Sequence, residues 1–514
     1  MGYLEIPVKE LNTGQLIDKL AIGWSMGHPG LALELVQRWG AHFMTSADIK
    51  EVKENSIYFT VNLENIHLRT MEEVRCLLIS GEADGFQTLQ SFWNKNSSPH
   101  HLPFILALSD STYITAKKHF ANERCLVLSA SEVKQLLRTP DSRCRLKQLL
   151  LREIPRRTLI PYNILLPADG VTFFGRENEL NRLAEEDFIS FAIAGPGRIG
   201  KTSLVKRYRK IRLQKHNALA QNLIYISFYQ SETTADGAAR FLAMEIENSR
   251  RSNRITPGGL VNFLKYRKKI YGGPLDLILD EVDEVCHSNT FKFLGEAARL
   301  GFCRLILCGR GKLLKRMLSG DSPIGGRLDL IQLEPLSDEA ARALILRPLS
   351  DLGFKFAEPE SLVDMILDLS GRLPHHIQIF GIKLAELAIS EGTDTVSMEL
   401  GERLKGDLMV AQFFIKTLED IDEPKTKLVA LALLEYDNPN ITIPFVQKVA
   451  KQEGLILNSK QINDICVDLT INNMLTWEKG AYRIANGGLS LFTKQTGYLN
   501  SALIEARQSV EASV

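Results

Sequence analysis

An α/β architecture in several units is predicted by three features of the sequence. Short, near-continuous apolar runs alternate with helically spaced segments, a glycine-rich turn at 195–202 joins one such run to a helix, and another run ends in Asp280-Glu281. The 514 residues leave room for roughly three domains of about 100–200 residues each. A 45% hydrophobic and 24% charged composition is that of ordinary globular protein. The net charge of +1 argues against a chain built mainly to coat nucleic acid or an anionic membrane. No apolar run approaches the ~18 residues of a membrane span, and the N-terminus carries no basic-then-apolar leader. Seven scattered cysteines without a CxxC pair predict a reducing, cytoplasmic setting and neither a disulfide scaffold nor a zinc knuckle.

Residues 1–160 predict a small α/β domain. Helical spacing runs from Asp18 to Trp39 and breaks at Gly27-His28-Pro29-Gly30. Strands are expected at Ile57–Val61, Phe104–Leu108 and Cys125–Leu128, with helices around Met71–Ser80 and Tyr113–Ala121. Such alternation implies a mainly parallel sheet. Three prolines between Ile154 and Gly170 read as a linker.

Residues 171–335 repeat the alternation, with strands expected at Phe191–Ala194, Leu223–Phe228, Leu275–Leu279 and Arg304–Cys308. Gly195-Pro196-Gly197-Arg198-Ile199-Gly200-Lys201-Thr202 matches the phosphate-binding loop at every fixed position and is followed by Ser203 and a helix start. Glycines let successive backbone N–H groups turn toward phosphates, and the helix dipole adds partial positive charge. Lys201 would reach the β- and γ-phosphates of ATP, and the Thr202 hydroxyl would hold Mg²⁺. Asp280 closes an apolar strand, where a carboxylate can hold the same Mg²⁺, and Glu281 is placed to polarise an attacking water. Asp283 and Glu284 read as a loop or helix cap. Arg310, at the tip of another strand, is the candidate contact to the γ-phosphate that tells ATP from ADP; Arg327 is a lesser candidate for an arginine finger.

The segment Phe173-Phe174-Gly175-Arg176-Glu177, the phosphate loop, the Leu-Asp-Glu strand end, Gly309-Arg310 and Gly371-Arg372-Leu373-Pro374 together resemble the STAND class of P-loop ATPases. These are AAA-like signal-transduction ATPases that include archaeal-type ATPases and NLR-like bacterial defence proteins. The resemblance spans about 171 to 500. It implies a P-loop core at 171–335, a helical lid at 336–408 and a winged-helix domain at 409–505, and it sets Arg176 beside adenine and ribose and Pro374 near the nucleotide. The family often has two adjacent glycines before that proline; here Arg372 and Leu373 intervene, so a sensing role for Arg372 or His375 stays open. His375-His376 lacks partners at metal-ligand spacing and reads as a helix start.

Helices at Lys427–Tyr436, Ile443–Gln452 and Lys460–Asn472, then a hairpin at Met474–Ile484, follow the winged-helix order. The third helix sets Lys460 against Asp464 and Asp468, which favours a domain packed on the nucleotide core over a DNA reader. The N-terminal block faintly resembles Mrr-type restriction-endonuclease-like domains. Its expected metal strand lacks the lysine, so Asp48 and Glu64 would be remnants of a degenerate copy. The whole predicts a slow, regulatory ATPase switch, homo-oligomeric or engaging a separate protein, in prokaryotic stress or antiviral defence. A replication-initiator-like DNA-binding ATPase and an ATP-gated nuclease are the alternatives.

Overall fold

The computed structural model describes residues 11–512 except 22–28, 64–65, 67, 69–72, 81–84, 97–101, 122, 169, 186–188, 216–221, 229–236, 249–254, 320–321, 323, 325, 422 and 437. Glu64, Met71 and Gly325 therefore lie outside the described residues, as do Gly27 and His28 of the expected break at 27–30.

The N-terminal part runs α1 (Thr13–Ala21), α2 (Gly30–His42), β1 (Asp48–Lys53), β2 (Ser56–Val61), β3 (Val74–Ile79), α3 (Gly85–Asn96), β4 (Pro103–Ala107), α4 (Asp110–His119), β5 (Leu126–Ser129), α5 (Ala130–Arg138), α6 (Ser142–Glu153) and α7 (Arg156–Leu159). Its sheet has the order β1-β2-β3-β4-β5, antiparallel across β1–β3 and parallel across β3–β5. Two expectations are corrected here. The segment read as a helix around Met71–Ser80 is strand β3, because Val74 to Ile79 is buried almost throughout and a near-continuous apolar run suits an inner strand. The sheet is mixed rather than mainly parallel, since the missed strand β1 is a polar edge, with alternately exposed residues, that folds back through a tight turn onto β2.

The central part comprises α8 (Glu177–Glu185), β6 (Phe191–Ala194), α9 (Lys201–Lys215), β7 (Leu223–Ser227), α10 (Ala238–Glu247), α11 (Gly259–Tyr271), β8 (Leu275–Asp280), α12 (Asn289–Arg299), β9 (Cys303–Gly309), α13 (Gly311–Leu318) and β10 (Asp329–Gln332). Its sheet is wholly parallel, in the order β10-β6-β9-β8-β7. All four expected strands form, each apolar and covered by helices; β10, short and half-polar, was not foreseen. With a phosphate loop between β6 and α9 and the acidic strand two places away, this is a P-loop nucleotide-binding fold.

The rest is mainly helical: α14 (Asp338–Asp351), β11 (Lys355–Phe356), α15 (Pro359–Ser370), α16 (Pro374–Ser390), β12 (Thr395–Val396) and α17 (Met398–Leu404), then α18 (Leu408–Glu419), α19 (Pro424–Tyr436), α20 (Ile443–Gln452), α21 (Ser459–Ile471), β13 (Leu475–Glu478), β14 (Ala481–Ile484), α22 (Gly487–Gln495) and α23 (Tyr498–Ala512). Ser337 caps α14 by accepting from the Ala340 N–H. The helices α19, α20 and α21 and the β13–β14 hairpin have the expected order, with bounds within three residues of those expected.

The proline-rich stretch after Ile154 is not a free linker. Tyr162 is fully buried against Gly381 and donates its hydroxyl to the carbonyls of Leu344 (3.1 Å) and Ile345 (2.9 Å). One hydrophobic core consequently runs from Leu16 and Phe59 through Tyr162 and Leu344 to Phe414 and Leu499. The central sheet keeps separate cores on its two faces. Among the described residues no helix is long and apolar enough to cross a membrane.

Candidate nucleotide site

The loop between β6 and α9 closes over its own lysine. Burial drives the Lys201 ammonium below its ordinary pKa, while Glu281 opposes this. Its Nζ donates to the carbonyls of Gly195 (2.9 Å) and Pro196 (2.8 Å). The turn that permits this has Gly200 at φ +102° and Arg198 at φ +63°, the first needing glycine and the second holding a bulky side chain in the left-handed region. Strain at functional loops is of this kind.

Thr202, one residue into α9, donates its hydroxyl to Asp280 Oδ2 at 2.7 Å. Asp280 is buried at the end of β8, where its Oδ1 also accepts from the Glu281 N–H at 3.0 Å. Tyr225 on β7 donates to the same Oδ2 at 2.9 Å. Nothing in the sequence singled out Tyr225; only the pairing of β7 with β8 brings it to the acid. Glu281 follows at φ +55°, and its carboxyl is raised by burial against the opposing pull of Arg310 and Lys201. Asp283 is indeed a cap: it accepts from the backbone N–H of Arg310 (2.6 Å) and of Leu313 (3.2 Å), fixing the start of α13.

Because β9 lies between β6 and β8, Arg310 projects from β9 between loop and acid. Its Nε is 3.8 Å from Glu281, and its Nη1 is 3.6 Å from Asp420 at the end of α18. Arg198 of the loop reaches the same helix, donating to the Phe413 carbonyl at 3.0 Å. Arg327 is exposed and does not line the cavity.

A cavity of about 840 Å³, its open mouth included, begins at Gly197–Ser203, Glu281 and Arg310. It continues to an apolar end formed by Phe173, Phe174, Leu336, Leu344, Leu166 and Pro374. This polarity suits a nucleotide, phosphates at the loop and base among apolar side chains. Gln378 on α16 accepts from the Asn163 N–H at 3.1 Å, and Ser203 accepts from the Ala168 N–H at 2.9 Å, so the 163–168 segment forms one wall. Arg176 lines the cavity, but its guanidinium is largely committed to the Glu334 carbonyl (2.6 Å), the Ile199 carbonyl (3.3 Å) and Glu179 (3.2 Å). It braces the loop. Arg176 Nε and His375 Nε2 remain buried without a hydrogen-bond partner, and a ribose or base edge would satisfy such atoms.

The residues fit ATP with Mg²⁺. Among the described residues no group of three His, Cys, Asp or Glu side chains could hold a metal alone, and Asp280 with Thr202 would need phosphate oxygens to complete a shell, as Mg²⁺ sites commonly do. Both histidines of α16 also pack on aromatic rings. His375 lies 5.2 Å from the Phe413 ring and His376 4.2 Å from that of Phe414; burial lowers their pKa values to about 4 and about 3.

No family model matches the chain, and no curated protein matches it. Among solved structures the chain is similar to the Walker-type ATPase paby2304 of Pyrococcus abyssi, at 15% identity and TM-score 0.48, covering 63% of this chain and 96% of that one. It is also similar to the Aeropyrum pernix ORC2 protein in ADPNP–ADP complexes, at 14% identity and TM-score 0.47, covering 66% and 97%. The fold assignment rests on the sheet order and loop geometry above.

Proposed function

We propose that this chain is a Mg²⁺-dependent ATPase that works as a molecular switch, its nucleotide state setting how α18 and the helices after it sit on the P-loop core. The observation that carries the reading is that two cationic side chains of the phosphate site, Arg198 and Arg310, both reach α18 or its cap, at Phe413 and Asp420. A change at the phosphates is thereby a change at the C-terminal helices.

In this reading the amides of Gly195 to Ser203 and the Lys201 ammonium bind the phosphates, and Thr202 and Asp280 hold Mg²⁺, which supplies charge neutralisation. Glu281 accepts a proton from water, Arg310 reads the γ-phosphate, and Arg176 and Pro374 border the nucleoside. Turnover is slow and regulatory. Motif resemblance to STAND-class ATPases supports a role in prokaryotic stress or anti-phage signalling, through homo-oligomers or a separate protein partner. Residues 409–505 act in it as a winged helix turned inward: Ile471 of α21 abuts Gly311 at 3.2 Å from a Cβ placed there, and Lys315 of α13 pairs with Asp468 at 2.5 Å. That packing covers part of the helix a DNA reader would present. A nuclease role for the N-terminal part gains no support from Asp48, exposed on β1 and paired with Lys50.

Light scattering of the full chain with Mg²⁺ and ATP, ADP or no nucleotide, alongside phosphate release, tests the proposal. An ATP-specific change in particle size with measurable release is expected. Identical size in all three states without release overturns it. Salt-dependent duplex binding lost on changing Lys460, Lys479 or Arg483 would move the reading to a DNA-binding ATPase.

A further inference from the structure

We propose that Asp420 sets this chain's preference between nucleoside tri- and diphosphate, its carboxylate occupying Arg310 beside the phosphate loop until a γ-phosphate displaces it. The inference rests on the nucleotide reading above and adds a discriminating group from outside the P-loop core.

Three observations meet at one point. Asp420 caps the carboxyl end of α18, and its Oδ2 lies 3.6 Å from Arg310 Nη1. The same Oδ2 would stand 3.4 Å from a Cβ added at Gly197, with Arg310 Nη1 at 3.7 Å, so carboxylate, guanidinium and loop backbone converge. Arg310 is also shared with Glu281 at 3.8 Å. Beyond this point a second cleft, about 1530 Å³ with its open solvent, runs between α13 and α21; Glu281 and Arg310 line both cavities, whereas Asp420 lines only this one.

Arg310 thus faces two carboxylates at the edge of a loop built for anions. A diphosphate leaves that arrangement intact. A triphosphate brings a further anion to the same guanidinium, and like charges at this range repel unless one yields. Glu281 directly follows β8 of the core sheet, its backbone N–H held by Asp280 Oδ1 at 3.0 Å. Asp420 belongs to the cap of α18, outside that sheet, so it is the group that yields. Its departure frees the end of α18 from the core, which is the motion a switch requires. The price of that displacement is a weaker grip on ATP relative to ADP.

The experiment is competition of ATP and ADP against a fluorescent nucleotide, with Mg²⁺, on the full chain and three variants. Asp420→Asn should tighten ATP roughly three- to fivefold and leave ADP within about twofold, as expected for one partly exposed charge pair. Asp420→Glu keeps the charge and should keep the parent ATP/ADP ratio. Glu419→Gln removes the same charge one residue away, where no ion pair to Arg310 exists among the described residues, and should also keep it. An unchanged ratio in Asp420→Asn, or an equal shift in Glu419→Gln, overturns the inference while leaving the nucleotide site standing. Should neither nucleotide bind the parent chain, the site reading fails first and this inference with it.

Discussion

The two five-stranded sheets of this chain place helix N-termini at the carboxyl ends of parallel strands, yet among the described residues only the central sheet carries the candidate nucleotide site. After β4 and β5 in the N-terminal sheet, serines seal those termini. Ser109 accepts from the Thr112 N–H, and Ser129 forms a capping box with Glu132. After β6 the residue preceding α9 is Gly200, at φ +102°, which has no side chain to cap with. The same architecture closes two helix starts with serine in one sheet and leaves one, that of α9, open to an anion in the other, where the start of α13 is closed by Asp283. Sheet topology alone therefore carries no chemistry; the residue at the helix start decides.

The contrast can be broken or sharpened by measurement. The largest effect is expected from Glu281→Gln, which should keep ATP bound but slow phosphate release by about 10²–10⁴, the range of a lost general base. Undiminished release would remove Glu281 from that role. Acidification should mimic the change, because burial raises the Glu281 carboxyl and its proton-accepting form is lost at a higher pH than for an ordinary glutamate. Lys201→Ala should weaken ATP by roughly 100-fold, the worth of charge-assisted contacts to phosphate. Titration calorimetry showing equal affinity would mean that the glycine loop is no more an anion site than the serine-capped helices.

A third measurement concerns stability. His375 and His376, with pKa values near 4 and 3, stay neutral when folded and take up protons near pH 6.5 when unfolded. The unfolded chain binds more protons, so stability present above about pH 6.5 declines as pH falls toward 4, on the order of 2 kcal/mol per histidine near pH 5. His376→Phe, a replacement suited to the stack on Phe414, should flatten the Tm-against-pH slope; an unaltered slope would place the acid sensitivity elsewhere. Tyr225→Phe removes one charge-assisted hydrogen bond to the Asp280 carboxylate, worth about 1.5 kcal/mol, so half-saturating Mg²⁺ should rise roughly tenfold. An unmoved Mg²⁺ dependence would leave Tyr225 a packing group. At the small end, Ser129→Ala should cost about 1 kcal/mol of stability. It should leave ATP affinity unchanged; any loss of affinity would blur the division between the sheets.

Much of the site was legible because it is local. The glycine spacing of 195–202, the apolar run closing on Asp280 and the cap signal at Ser337 each act within one or two turns of chain, and the structure places them as read. The failures were also physical. The apolar run Val74 to Ile79 has no period that separates a buried strand from a helix, and β1 is too polar to signal a strand at all. Tyr162 looked like linker because prolines surround it, and only its hydrogen bonds to α14 reveal a core residue.

Backbone freedom at glycine, side-chain caps and runs of apolar residues depend on neighbours a few positions away, so the amino-acid order alone determined the loop, the lysine within it, the acid-ended strand and most helix starts. Which distant groups meet was decided by packing. Insertion of β9 between β6 and β8 delivers Arg310 to the loop, the β7–β8 pairing delivers Tyr225 to Asp280, and the shared helical core delivers Asp420 across more than a hundred residues of chain. No short window of sequence encodes those encounters, because they arise only when many apolar faces are buried together.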